Sequence, residues 1–304
     1  MAFRSRLLLG ALTAGVAGLG YAHFETKWFT LRRVSVDILP AGAQPLRVLH
    51  LSDLHLTPSQ NRKHDWVRSL AELEPDLVVN TGDNFGHVQA LTPILSAYGD
   101  LLDVPGVFVF GSNDYFAPTP RNPFGYLMPD RGRRHVRSPT LPWPDLRDAL
   151  ESRGWVGLWN RTDSLEVNGL RLTVAGVDDP HLEYDDLAAV AGPADPSADL
   201  RIGIAHAPYL RVLDQFAHDG YDLTIAGHTH GGQVCLPGGR SLVTNCDLEP
   251  ERAKGLHRHP ARSQPGDPGS NYLHVSGGLG TSPYAQVRFC CRPEATLLTL
   301  RPRR

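Results

Sequence analysis

The sequence predicts an α/β protein in which two sheets pack against each other. Short apolar strands alternate with helical segments in the first half of the chain, which indicates parallel β-α units. Asn168-Gly169 joins two alternating runs, the pattern of a β-hairpin, so the second half contains antiparallel pairing. Parallel units followed by hairpins favour a two-sheet α/β sandwich over a single doubly wound sheet.

The individual elements follow from the spacing of apolar residues. Residues 47–52 (RVLHLS) and 76–80 (DLVVN) are short, largely apolar runs, as expected of buried strands. A helix over 144–153 begins with Pro144, where the missing N–H costs least. Further strands are predicted over 107–110, 165–167, 170–174, 200–205, 223–226, 271–276 and 295–300, and further helices over 64–73, 91–102 and 209–217.

The first 25 residues form a separate segment. Arg4 and Arg6 precede an uncharged run over residues 7–22, which as a helix would span roughly 24 Å, slightly less than the ~30 Å hydrocarbon core of a bilayer. The run fits a retained membrane anchor, a cleaved signal peptide or a buried helix. We expect an anchor in the cell membrane, with the main domain on the extracytoplasmic side, although basic residues flank the run on both sides.

Three parts of the chain are therefore predicted. They are a membrane anchor or signal segment over 1–25, a linker or first strand over 26–42, and the main domain over 43–304.

Composition and charge exclude several classes of protein. Thirty Lys and Arg against 32 Asp and Glu give a net charge of −2, whereas a general nucleic-acid binder usually has a strong basic excess. A hydrophobic fraction of 41% excludes a disordered chain. The four cysteines lack CxxC spacing, so neither a zinc ribbon nor a disulfide framework is expected.

Polar side chains follow five predicted strands at the point where each strand ends. Paired residues two apart share a face on an extended chain, and ligands of open α/β sheets bind at the carboxyl ends of the strands. In chain order, the strand ends carry Asp53 and His55, then Asp83, then Ser112, Asn113 and Asp114, then His206, and finally His228 and His230.

These side chains predict a metal centre at one edge of the fold. Carboxylate oxygens and imidazole nitrogens suit Mn²⁺, Fe²⁺ or Zn²⁺. Because the potential ligands outnumber those of one tetrahedral ion, we expect two divalent cations that share a carboxylate.

The same motifs resemble those of the calcineurin-like metallophosphoesterase superfamily, over about residues 45–300. The apolar start together with Gly-His-Thr-His-Gly-Gly-Gln is similar to its membrane-associated bacterial branch. The resemblance implies a four-layer α-β-β-α sandwich with two central mixed sheets, preceded by an N-terminal apolar helix. It also implies that Asp53, His55 and His230 hold one metal, that His206 and His228 hold the other, and that Asp83 bridges them.

The segment Gly111-Ser112-Asn113-Asp114 departs from the family pattern, which has Gly-Asn-His followed by an acid. Either Ser112 replaces the ligand and Asn113 the histidine, or Asn113 is still the ligand of the second metal. We favour Asn113 because an amide oxygen is the better ligand. In both alignments the family's histidine is missing, and His50, Asp114 or His181 could compensate.

The implied function is hydrolysis of a phosphodiester or diphosphate by a hydroxide that bridges two metal ions. The residues predicted to take part in catalysis are Asp53, Asp83, Asn113, Asp114 and His228. The missing histidine predicts either a substrate with a good leaving group or a slow enzyme, because loss of an acid catalyst typically costs 10²–10⁴-fold. The alternative function is a non-catalytic, metal-bound scaffold that recruits a protein partner.

The substrate class is suggested by the surroundings of these motifs. A loop over 118–144 contains five arginines, which could bind a phosphorylated lipid headgroup or simply be solvated. A second irregular stretch is expected over 252–269. We predict a phosphorylated small-molecule or lipid substrate and attachment to a membrane through the N-terminal helix. No nucleic-acid partner is expected, and the sequence does not identify a protein partner.

Overall fold

The computed structural model describes residues 2–120 and 139–303. Arg121 and the other four arginines of the predicted basic loop lie outside the described residues.

The described chain alternates between strands and helices for most of its length. The strands are β1 (Thr30–Leu39), β2 (Leu46–Leu51), β3 (Leu77–Asn80), β4 (Gly106–Phe108), β5 (Val156–Gly157), β6 (Arg161–Val167), β7 (Leu170–Gly176), β8 (Leu200–Ala205), β9 (Leu223–Ala226), β10 (Gly255–His259), β11 (Asn271–Val275) and β12 (Glu294–Pro302). The helices are α1 (Ala2–Glu25), α2 (Asn61–Ser69), α3 (Leu91–Tyr98), α4 (Ser112–Tyr115), α5 (Trp143–Glu151), α6 (Leu187–Val190) and α7 (Leu210–His218). Short 3₁₀ helices cover Leu70–Leu73, Gly99–Asp103, His230–Gly232 and Pro250–Arg252.

The strands form two six-stranded sheets, as the sequence predicts. The first sheet has the order β1-β12-β2-β3-β4-β5 and the second the order β10-β11-β9-β8-β7-β6. Both sheets are mixed, since β2 to β5 and β7 to β9 run parallel to their neighbours while β12 against β2, β6 against β7, and β10 against β11 are antiparallel.

Three apolar contact regions give the sandwich its four layers. The facing sides of the two sheets form the central core, to which Val48, Val79, Ile202 and Ile225 contribute. Helices α2, α3 and α5 pack on the outer face of the first sheet, and α7 packs on the outer face of the second. Because both faces of each sheet are covered, strands such as β3 and β9 are buried along their whole length.

The hairpin signal at Asn168-Gly169 is confirmed. Both residues have positive φ (52° and 77°), as a two-residue turn that matches the strand twist requires. The turn pairs Val167 directly with Leu170 and brings β6 alongside β7.

One stretch differs from the expected structure, and another takes one of the two forms predicted for it. Residues 252–269, expected to be irregular, contain β10, which adds to the edge of the second sheet by antiparallel pairing with β11. Residues 26–42, predicted as a linker or first strand, contain β1, which pairs with β12 along its length. The polar residues of β10 hide it from a reading of apolar periodicity, because this strand lies at the edge of its sheet.

The N-terminal segment is helical, from Ala2 to Glu25. In the part of the chain that the structure describes, however, no helix is long and apolar enough to cross a membrane. The predicted transmembrane anchor therefore finds no support here.

Candidate metal centre

The carboxyl ends of β2, β3, β8 and β9 bring the predicted ligands together between the two sheets. Asp53 and His55 follow β2, Asp83 follows β3, and His206 follows β8. His228 and His230 follow β9, and all six side chains are buried. The side chains that the sequence placed at separate strand ends thus share one site.

Asp53, His55, Asp83 and His230 form one group whose ligand atoms all lie within 4.8 Å of one another. His55 Nε2 lies 3.2 Å from His230 Nε2 and 3.4 Å from Asp83 Oδ2. His230 donates its Nδ1–H to Gly280 O over 3.0 Å, so its Nε2 lone pair faces the group. Two carboxylates and two imidazoles in a buried space make an electron-rich set that suits a cation.

His206 and His228 form a second group beside the first. His206 donates Nδ1–H to Thr81 O over 2.6 Å, and His228 donates Nε2–H to Asn245 O over 3.2 Å. The remaining nitrogens, His206 Nε2 and His228 Nδ1, face each other at 3.3 Å. Asp83 joins the two groups, with Oδ1 3.6 Å from His206 Nε2 and Oδ2 on the side of His55.

Asn113 and Asp114 both form hydrogen bonds with the loop that carries Asp83, Asn113 with the side chain of Asp83 and Asp114 with the loop backbone. The Asn113 backbone N–H donates to Asp83 Oδ1 over 2.7 Å, and its amide nitrogen lies 2.9 Å from Oδ2. The buried Asp114 carboxylate accepts the backbone N–H groups of Gly111, Asp83 and Asn84 at 2.7 to 3.0 Å. Asp114 therefore holds the Asp83 loop through its backbone.

Charge in the site favours binding of a cation. Burial, followed by the neighbouring imidazoles, holds the pKa values of His55 and His228 well below 6.5, so both are neutral and available as ligands. Burial opposes the charged form of His206 as well, but the carboxylates of Asp83 and Asp179 outweigh it and raise its pKa to about 9. A site that stabilises positive charge on His206 also attracts a metal ion.

Most of the predicted ligands have a strained backbone. Asp53, His55, Asp83, His228 and His230 have φ of 51°, 40°, 57°, 68° and 51°, a region that costs non-glycine residues about 1–3 kcal/mol each. Both side chains do lie in one group, but the prediction that an extended chain puts Asp53 and His55 on the same face is wrong. β2 ends at Leu51, and left-handed turns bring the two side chains together.

Two glycines allow the loops to approach the ligands closely. A Cβ on Gly227 would lie 1.9 Å from Ser52 Oγ, and one on Gly111 would lie 2.4 Å from Asp83 Oδ1. Neither position leaves room for a side chain, which explains a glycine at the start of both motifs.

A buried chain of hydrogen bonds that sequence reasoning missed leads to Asp53. Ser52 donates its hydroxyl to Asp53 Oδ2 over 2.6 Å, and Thr81 donates to Ser52 over 2.7 Å. Thr81 in turn contacts His50 Nε2 at 2.9 Å, and His50 Nδ1 contacts His274 Nδ1 at 3.0 Å. Since each hydroxyl has a single proton, the chain has one direction, from His274 towards the carboxylate.

Asp179 and His181 border the second group. The His181 ring centre is 4.5 Å from that of His228, and its Nδ1 contacts Tyr209 Oη at 3.1 Å. Asp179 is fully buried and accepts the His181 backbone N–H over 2.8 Å. Burial raises the pKa of Asp179 to about 7, although the neighbouring His206 opposes this.

Comparison with known proteins shows the family of this chain. The family model for calcineurin-like phosphoesterases matches residues 46–232, and the chain belongs to that family. Phosphodiesterase YaeI of Escherichia coli is 27% identical, covering 97% of this chain and 98% of the relative. UDP-2,3-diacylglucosamine pyrophosphatase LpxG of Chlamydia trachomatis is 28% identical over 91% of this chain and 90% of its own.

The uncharacterized metallophosphoesterase YkuE of Bacillus subtilis is 26% identical, covering 97% of this chain and 93% of the relative. Membership of the family and these relatives identify the chain as a hydrolase of phosphate ester or phosphoanhydride bonds.

Proposed function

We propose that this chain hydrolyses a phosphodiester or a diphosphate with the help of two divalent cations. The position of Asp83 is the observation that supports this most directly. One of its oxygens lies 3.4 Å from His55 Nε2 and the other 3.6 Å from His206 Nε2. A single carboxylate that reaches two imidazole groups is what two cations with a shared ligand require.

The donor atoms fit Mn²⁺, Fe²⁺ or Zn²⁺. Asp53, His55 and His230 would hold the first cation and His206 and His228 the second, while Asp83 serves both. Such a pair supplies Lewis-acid activation of a water and neutralises charge on the phosphoryl oxygens.

The remaining predicted site residues orient this donor set. Asn113 holds the Asp83 carboxylate through its N–H and amide group, and in our proposal its amide, in preference to Ser112, also serves the second cation. Asp114 is a positioning residue, because both of its oxygens accept backbone N–H groups of the loops that carry Asp83 and Asn113.

The chain lacks the histidine that, in the family pattern, would assist departure of the leaving group. Of the three side chains suggested in its place, His50 and Asp114 are fully buried and bonded to other groups. His181 is partly exposed and its ring contacts His228. We therefore propose that His181 borders the leaving group and that fast turnover requires a group that leaves without strong acid assistance.

A membrane-associated phosphate ester or diphosphate is the proposed substrate class, with a nucleotide-type ester as the soluble counterpart. Val16, Leu19, Phe24 and Trp28 are exposed apolar side chains on and after α1, and such side chains favour the interfacial region of a bilayer. One relative carries the name UDP-2,3-diacylglucosamine pyrophosphatase. Location at the cell membrane with an extracytoplasmic domain stays a prediction.

A non-catalytic scaffold is the second candidate function, and the Ser112-Asn113 substitution is the observation that favours it. The test is hydrolysis of bis-p-nitrophenyl phosphate by the full chain with Mn²⁺, Fe²⁺, Zn²⁺ or no metal. We expect metal-dependent turnover that is lost in Asp83→Asn and His228→Ala but retained in Arg201→Met, which breaks an ion pair with Asp222. Tight metal binding without turnover on any phosphate ester would contradict the hydrolase and favour the scaffold.

A further inference from the structure

Arg288 is a fully buried cation that is not one of the predicted metal ligands. It is among the largest side chains in the protein without solvent exposure. In the part of the chain that the structure describes, no carboxylate forms an ion pair with its guanidinium. Burial of a charge without a partner is costly, and removing its remaining hydrogen bonds makes it more so.

The guanidinium of Arg288 instead bonds the backbone around His230. Nη2 donates to Gly280 O over 2.7 Å and to Gly278 O over 3.0 Å, and Nη1 donates to Gly277 O over 2.8 Å. Gly280 O is the same oxygen that accepts His230 Nδ1–H. Arg288 thus fixes the acceptor that sets the tautomer of His230 and directs its Nε2 towards Asp53 and His55.

The backbone that carries Arg288 is in turn held by the end of α1. The Arg288 N–H donates to Ala22 O over 2.9 Å. The buried Glu25 carboxylate accepts the N–H of Cys290 over 3.0 Å and that of Cys291 over 2.6 Å. A continuous set of hydrogen bonds therefore runs from the last turn of α1 through Arg288 to His230.

We propose that Arg288 and Glu25 are positioning residues for His230, so that the last turn of α1 supports the metal centre. This rests on the proposed role of His230 as a metal ligand. Residues that orient a ligating histidine typically change metal affinity by about 10–100-fold when they are replaced. The effect should be larger at the first cation, because Arg288 donates to the backbone oxygen of His230 itself over 3.4 Å, whereas the contacts of the His206 and His228 rings are to Thr81 O and Asn245 O.

The test is calorimetric titration of the full-length, metal-free chain with Mn²⁺, together with its thermal unfolding. Glu25→Ala should weaken one of two Mn²⁺ sites by about 10–100-fold, and this should be the site that His230→Ala abolishes. Glu25→Gln keeps one acceptor oxygen and should lose less, and Arg288→Lys should recover part of the affinity lost in Arg288→Met. His23→Ala is the matched control, because it removes a contact of the same turn with Gln286 O at the surface and should bind as the wild type does.

Two results would overturn the proposal. One is a folded Glu25→Ala chain that binds both ions with unchanged affinity, and the other is an equal loss at both sites. If Arg288→Met does not fold, the Glu25→Gln and Glu25→Ala pair decides the question. A wild-type chain that takes up no Mn²⁺ contradicts the proposed function itself, whereas normal uptake by all variants contradicts only the positioning roles.

Discussion

Replacement of Gly227 by alanine should displace Asp53 and disable the metal centre. The new Cβ would lie 1.9 Å from Ser52 Oγ and 2.9 Å from both Asp53 Oδ2 and Thr81 Oγ1, against at least 3.4 Å for ordinary contact. Ser52 would have to move by about 1.5 Å, and the surroundings are buried backbone and short side chains that cannot fold away. Overpacking of this kind costs about 1–3 kcal/mol.

The displacement should affect catalysis more than stability. Ser52 Oγ is bonded to Asp53 Oδ2 over 2.6 Å, so a shift of Ser52 moves the carboxylate. A misplacement of about 1 Å in a catalytic arrangement costs about 10²-fold. We therefore expect kcat/KM for bis-p-nitrophenyl phosphate to fall about 100-fold in Gly227→Ala, with a loss of about 1–3 kcal/mol in the free energy of unfolding.

Two further variants make this prediction decisive. Gly20→Ala is the control, because nothing lies within 4 Å of its added Cβ. Gly227→Ala combined with Ser52→Ala removes the closest clash and should regain part of the lost stability. Unchanged kcat/KM in a folded Gly227→Ala protein would refute the claim that this loop packs directly on Asp53.

Three other outcomes follow from the same contacts. Ser52→Ala removes the donor to Asp53 and should weaken Mn²⁺ binding at least tenfold in a calorimetric titration; unchanged affinity would show that the hydrogen-bond chain is not needed. Burial lowers the pKa of His274 to about 3. As the pH falls, this histidine therefore takes up a proton at a higher pH in the unfolded chain than in the folded one. The stability of the metal-free protein should therefore fall as pH drops from about 6.5 towards 3, by up to about 1.4 kcal/mol per pH unit for this proton. Chemical denaturation across that range should show a smaller slope in His274→Gln, and an identical slope would contradict the assignment. Aryl phosphodiesters should turn over about 10²–10⁴-fold faster than alkyl ones, and equal rates would mean that a proton donor replaces the missing histidine.

The fold and the convergence of the candidate ligands could be predicted because both depend on local signals. Apolar runs of four to six residues mark the central strands, and Asn168-Gly169 fixes one hairpin. Asp53, Asp83 and His206 stand just after such runs, at the carboxyl ends of parallel strands in the two packed sheets, where ligands of α/β proteins bind.

What escaped prediction depends on contacts between distant parts of the chain. Arg288 lies in a stretch with no periodic pattern, and its partners are backbone oxygens at Gly277, Gly278 and Gly280, which any sequence could supply. His50 and His274 meet between the two sheets although 224 residues separate them. The left-handed backbone of Asp53 and His55 likewise has no local signal, because tertiary contacts impose it.

The number of metal ions bound per chain tests the central claim most directly. Metal-free protein titrated with Mn²⁺ should bind two equivalents, His230→Ala and His206→Ala should each bind one, and Asp83→Asn should weaken both sites because its carboxylate faces both groups. A single equivalent in the wild type, or an Asp83→Asn chain that still binds two ions with unchanged affinity, would contradict the account.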